Sequence, residues 1–139
     1  MDRPPQPSPL SAALGRVGDR WKLLVIDVLL DGPGRFSDLE RAIPDISTNI
    51  LSARLRELEQ DGLVVADAYS DRPRRHEYSL TATGKELAGA LQLLADWGAR
   101  HGEGLATNRH DLCGTPLEVR WYCPTCGAIT DRTEPVWFA

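Results

Sequence analysis

Four residues toward the C-terminal end have the types and spacing that bind a soft metal ion. HDLCG (110–114) and CPTCG (123–127) each set two donors three positions apart, with a glycine directly after the second. His110, Cys113, Cys123 and Cys126 together supply one imidazole nitrogen and three thiolates. Zinc takes that donor set in structural sites, where four protein ligands leave no open position for water. His101 or Asp111 are alternatives to His110 as the fourth donor, and without metal Cys123 and Cys126 read as a redox pair or as turn residues. Between the two turns Leu117, Val119 and Trp121 alternate with Glu118, Arg120 and Tyr122 as in a strand. Segment 107–139 therefore reads as a zinc-ribbon-like β tail of about 30 residues, too small to bury a sufficient core unaided.

A second set of residues has the chemistry of nucleic-acid contact. Asn49, Ser52, Ala53 and Arg56 recur at helical spacing, opposite Leu51, Leu55 and Leu58, which recur at the same spacing and need a core. Small amide, hydroxyl, methyl and guanidinium groups on a helix face are the types that meet base edges and phosphates in a major groove. The spacing predicts a helix over about 47–61. Ser47 is its N-cap, Ile46 and Leu51 form a hydrophobic staple, Gly62 takes the left-handed position past the last turn, and Leu63 folds back on Leu58. Asn49, Ser52 and Arg56 then face bases, with Thr48 and Arg54 on the flanks. The plainer alternative is a merely solvated face. Downstream, Val64–Tyr69 and His76–Leu80 read as strands of a hairpin whose tip, 70–75, carries Arg72, Arg74 and Arg75, suited to phosphates or an adjacent minor groove. A solvated turn is the alternative there.

The positioning elements follow from caps and periodicity. Prolines at 4, 5, 7 and 9 make residues 1–9 an extended or disordered tail. Helices are expected over Ser11–Val17 and Asp19–Leu30, the latter stopped by Gly32-Pro33. Ser37-Asp38-Leu39-Glu40 has capping-box spacing and opens a short helix ending at Pro44. Thr81 caps a helix through GKELAGALQLLADWGAR, apolar over more arc than one small core requires. Its surplus face, with Ala90, Leu93, Leu94 and Trp97, together with Leu10 and Leu14 of the first helix, predicts a homodimer interface. The alternative is one wide intramolecular core. A dimer sets two reading helices roughly one duplex turn (~34 Å) apart and implies an inverted-repeat operator.

The 139 residues, 42% hydrophobic, allow one principal domain and a small appendage. We divide them as 10–106 and 107–139. A formal charge of −4 and a pI near 5.3 exclude broad attraction to polyanions, so any DNA affinity must come from local clusters. No apolar run approaches the ~20 residues of a membrane span, and no secretion signal is evident, so a cytoplasmic protein without membrane association is expected. Three cysteines in such a setting favour reduced thiols or metal ligands over disulfides. His76, His101 and His110 have no spacing with a nucleophile or carboxylate pair that suggests catalysis, so an enzyme is not expected.

The stretches VGDRW, GPGRFSDLERAIPDIS, LSARLRELEQDGLV and EYSLTATG, in this order within residues 12–100, closely resemble the HxlR-type winged helix-turn-helix transcriptional regulators, which are related in fold to MarR proteins. The resemblance implies a mainly α (α+β) winged helix-turn-helix domain. It also implies a homodimer that binds double-stranded promoter DNA, represses or activates nearby genes and can answer to an effector not identifiable from sequence. Family members often carry Cys-Pro ahead of the first helix; here Ser8-Pro9 stands there, so a thiol switch would have to use the tail cysteines. A protein-interaction module on a winged-helix scaffold, or a thiol/zinc redox sensor, are the alternatives.

Overall fold

The computed structural model describes residues 6–130, with the side chains of Asp71 and Arg74 outside that description. Helix α1 (Pro9–Val17) starts at Ser8, whose hydroxyl accepts the Ser11 amide. Pro9, expected in an extended tail, is instead the first helical residue, because proline's fixed φ suits that position and its missing N–H has no helical partner there. Residues 1–5 of that expected tail lie outside the described residues. Helix α2 (Arg20–Leu30) is capped by Asp19, whose carboxylate accepts the amides of Trp21 at 2.9 Å and Lys22 at 3.1 Å.

A two-residue strand β1 (Gly34–Arg35) leads directly into α3 (Phe36–Ala42). Here the expected cap is corrected: the helix begins before Ser37, and Asp38, not Glu40, reaches back to accept the Arg35 amide at 3.0 Å. Glu40 is free to accept the Thr48 hydroxyl at 2.8 Å, linking α3 to the next helix. The turn between them buries Ile43 and Ile46 and places Asp45 at φ 64°, a conformation aspartate tolerates better than most residues.

Helix α4 (Thr48–Gln60) has the caps read from sequence. The Ser47 hydroxyl accepts the Ile50 amide at 3.2 Å. Gly62, at φ 70°, and Leu63 close a Schellman turn: their amides donate to the carbonyls of Glu59 at 3.0 Å and Leu58 at 2.9 Å. The chain then forms β2 (Val64–Asp71) and β3 (Arg74–Leu80), in an antiparallel sheet of order β1-β3-β2. Register runs from Val64↔Leu80 to Ala68↔His76, then slips past Tyr69 so that Ser70 pairs with Arg75 and Asp71 with Arg74. The hairpin is longer than expected, and only Arg72-Pro73 remain as its turn.

Thr81 caps α5 (Ala82–Lys85) through the Gly84 amide, as expected. The single long helix expected from there is in fact two: the chain turns at Glu86-Leu87, with Leu87 packed on the core, before α6 (Ala88–His101). The core gathers Val25, Ile26 and Leu29 of α2, Leu39 of α3, the three leucines of α4, Leu63, Val64, Leu80 and Leu91. The chain divides into two compact units between Leu91 and Gln92. In the second unit, β4 (Trp121–Cys123) pairs with β5 (Ala128–Thr130). The strand expected over 117–122 is absent except at Trp121 and Tyr122. Residues 131–139 lie outside the described residues.

Candidate nucleic-acid interface

The two faces of α4 separate as their side-chain chemistry requires. Leu51, Leu55 and Leu58 are 0–2% exposed, whereas Ser47, Thr48, Asn49, Ser52 and Arg56 are exposed and Ala53 is half-buried. Burial of the leucines, about 1.5–3 kcal/mol each on the transfer scale, fixes the roll of the helix and so decides which polar groups point outward. Glu59 and Gln60, not singled out in the sequence, extend the outward side by one more turn.

Arg54 does not share this outward position. Its Nε lies 3.0 Å from Asp19 Oδ1 and its Nη1 3.3 Å from Glu57 Oε1, while Lys22 Nζ lies 3.0 Å from Glu57 Oε2. These four side chains tie the start of α2 to the middle of α4. Burial works against the Asp19 charge, but the Arg54 hydrogen bond and the amides of Lys22 and Trp21 outweigh it and hold the carboxyl below its usual range. Arg54 is correspondingly pushed up, first by its bond to Asp19. The far end of α4 is held too, since Arg16 Nη2 donates to the Asp61 carbonyl at 3.1 Å.

The wing supplies a second positive element. Arg72 sits in its turn and Arg75 on β3, both exposed; the Arg74 side chain lies outside the description. The guanidinium of Arg35 stacks over the Tyr69 ring at 4.5 Å. A cavity of about 410 Å³ opens between the wing strands and the start of α3, lined by Arg35, Phe36, Ser37, Tyr69, Arg75, His76 and Tyr78. Arg35 and Ser37 thus join Arg75 beside the helix-turn-helix. Neither stands out in the sequence: Ser37 has the spacing of a cap, and Arg35 sits in a two-residue strand that only pairing with Glu77 reveals.

The remaining expected sites fall as follows. On α1, Leu10 and Leu14 are exposed; on α6, Leu91 is buried, while Ala90, Leu93, Leu94 and Trp97 are exposed. His101 is engaged within α6, its ring 4.6 Å from that of Trp97 and its Nδ1 2.8 Å from the Trp97 carbonyl. In the tail, His110 Nδ1 lies 3.3 Å from Cys113 Sγ, and Cys123 is hydrogen-bonded by Cys126. Among the described residues no three such donors converge.

Residues 16–105 match the HxlR-like helix-turn-helix family. An uncharacterized HTH-type transcriptional regulator of Methanothermobacter thermautotrophicus is 41% identical over 93 residues, 67% of this chain and 71% of that protein. Another, from Mycobacterium bovis, is 40% identical over 125 residues, 86% of this chain and 78% of that protein. Among solved structures, the redox regulator HypR in its oxidized form is similar with a TM-score of 0.65 and 33% identity, over 69% of this chain and 99% of that one. A further similar structure, the transcriptional regulator YtcD, gives 0.63 and 38%, over 68% of this chain and 96% of that one. A helix-turn-helix with its outer face open, a wing beside it and a family match along most of its length place the chain in one group: it belongs to the HxlR-like helix-turn-helix family.

Proposed function

We propose that this chain is a DNA-binding transcriptional regulator rather than an enzyme, acting in the cytoplasm as a homodimer on promoter DNA. The observation that carries the reading is α4, whose leucine face is locked into the core while Asn49, Ser52 and Arg56 stand open on the other side. Asn49 and Ser52 have the donors and acceptors to read base edges, and Arg56 can take guanine O6 and N7 together. Arg72, Arg75 and, across the cavity, Arg35 with the Ser37 hydroxyl supply phosphate contacts that set register without reading sequence. With a net charge of −4, affinity depends on this local cluster.

Homodimerisation is supported by the exposed apolar residues that α1 and α6 each carry, Leu10 and Leu14 on one, Leu94 and Trp97 on the other. No helix among the described residues is long and apolar enough to cross a membrane. The test is selection of fragments of the native genome by the purified full chain in the presence of excess competitor DNA. Enrichment of a shared inverted repeat, with half-sites about 34 Å apart, is the expected result. Fragments retained no better than random competitor would end the DNA-reading proposal.

A further inference from the structure

Among the described residues, 102–130 gather no core of their own. From Gly102 to Thr130 every residue is exposed except Thr107 and Cys123, which are half-buried. Leu112, Leu117, Val119, Trp121, Tyr122 and Ile129 are all more than half exposed. Ordering a backbone costs conformational entropy at each residue, and burial of apolar surface normally offsets it. Among the described residues that offset is missing, and the backbone takes its shape from local hydrogen bonds.

What specifies it is a duplicated turn. In the first copy the Gly114 amide donates to the His110 carbonyl at 2.7 Å, with Gly114 at φ 69°. In the second the Gly127 amide donates to the Cys123 carbonyl at 2.9 Å, with Gly127 at φ 62°. Each turn is closed by antiparallel pairing: the His110 amide to the Thr115 carbonyl and the Arg109↔Pro116 bridge in one, the Cys123↔Ala128 pair in the other. In each, the first and fourth residues are the chemically soft ones. His110 and Cys113 approach to 3.3 Å in the first, and Cys126 hydrogen-bonds Cys123 in the second. A β-branched or bulky residue would strain the two left-handed glycine positions, which lie directly after the second donor of each pair.

We propose that the two knuckles are halves of one structural zinc site, with His110, Cys113, Cys123 and Cys126 as ligands, and that zinc takes the place of the missing core. Among the described residues no three of these donors converge, so the proposal requires the two pairs to close on the ion as it binds. On binding, three S–H bonds break and three Zn–S bonds form, the imidazole donates a lone pair, and three protons pass to solvent with no change of oxidation state. Four protein ligands complete the shell, so the site is structural and carries out no hydrolysis. The proposal stands independently of DNA binding, because none of the four residues belongs to the α4 or wing surface.

The experiment uses the full chain, reduced and stripped with a chelator, its three thiols confirmed by titration. It is titrated with cobalt(II) and then zinc(II). Expected are one cobalt per chain, the visible d–d and thiolate charge-transfer absorption of a tetrahedral site, displacement by one zinc, and release of close to three protons. Cys113→Ser and Cys123→Ser should each abolish this uptake, His110→Ala should weaken it, and His101→Ala should leave it unchanged. Because a tail variant can misfold, limited trypsin digestion supplies a second readout on the unaltered chain. Zinc should protect the bonds after Arg109 and Arg120, chelation should expose them, and the helix-turn-helix unit should survive both treatments. A fully reduced chain that takes up neither metal would overturn the proposal, as would uptake that Cys113→Ser and Cys123→Ser leave intact. A Cys123–Cys126 disulfide that, once reduced, yields no metal binding would overturn it too, in favour of a redox pair.

Discussion

Arg54 and Arg56 are two positions apart on one helix and therefore lie on nearly opposite sides of it. Their substitutions should separate accordingly. Arg56→Ala should leave thermal unfolding unchanged but cost about 1–3 kcal/mol in operator binding and broaden base preference at one position, read by fluorescence anisotropy on matched and mismatched duplexes. Arg54→Ala should lower the unfolding temperature, because it leaves Asp19 and Glu57 without their shared cation. Asp19 adds a pH dependence of definite sign. Its carboxyl is held below the usual range despite burial, so the stabilisation is fully present above the ordinary carboxylate value of about 3.9 and is lost as pH falls through the lowered folded value. Asp19→Asn keeps a capping oxygen but removes the charge, and should flatten the acid limb of stability measured by urea unfolding across pH 2–6. Superimposable acid limbs for the two proteins would refute this. The polar face of α4, with Arg54 at its flank, was legible in the sequence, but the Asp19 partner of Arg54 was not: periodicity reports the side of a helix, while the partner that captures a side chain can stand 35 positions away.

At the level of elements, the caps of α4 and α5 were legible, while the cap of α3 and the extents of several elements were not. The capping hydrogen bonds at Ser47, Thr81 and Gly62 each span three residues, so they are encoded locally. Ser47→Ala should cost about 0.5–2 kcal/mol of stability, measured by denaturant titration. The wing was misjudged because strand length depends on a partner strand: Asp71 and Arg74 read as loop residues until their pairing is known. The division of α5 from α6 was invisible for the same reason, since Leu87 turns toward a core built from distant leucines. Arg72→Ala and Arg75→Ala should weaken binding to every duplex alike and each reduce the slope of log affinity against log salt by about one unit, as expected for a lost phosphate contact. A selective loss on the operator alone would show that the wing reads bases.

For the molecule as a whole, α6 poses the question of assembly. Leu94 and Trp97 are 55% and 56% exposed, which is unusual for large apolar side chains sharing one helix. Leu94→Glu should shift the sedimentation coefficient toward a monomer and abolish preference for a two-half-site operator, while binding to an isolated half-site persists at its weaker level. The surplus apolar arc was legible from apolar residues at helical spacing, and the division between Leu91 and Gln92 lies inside α6, where the pattern does not change. The ion pairs of Asp19, Lys22, Arg54 and Glu57 have one last implication. They couple the first turn of α2 to the middle of α4, so a displacement of one must either carry the other along or break these contacts.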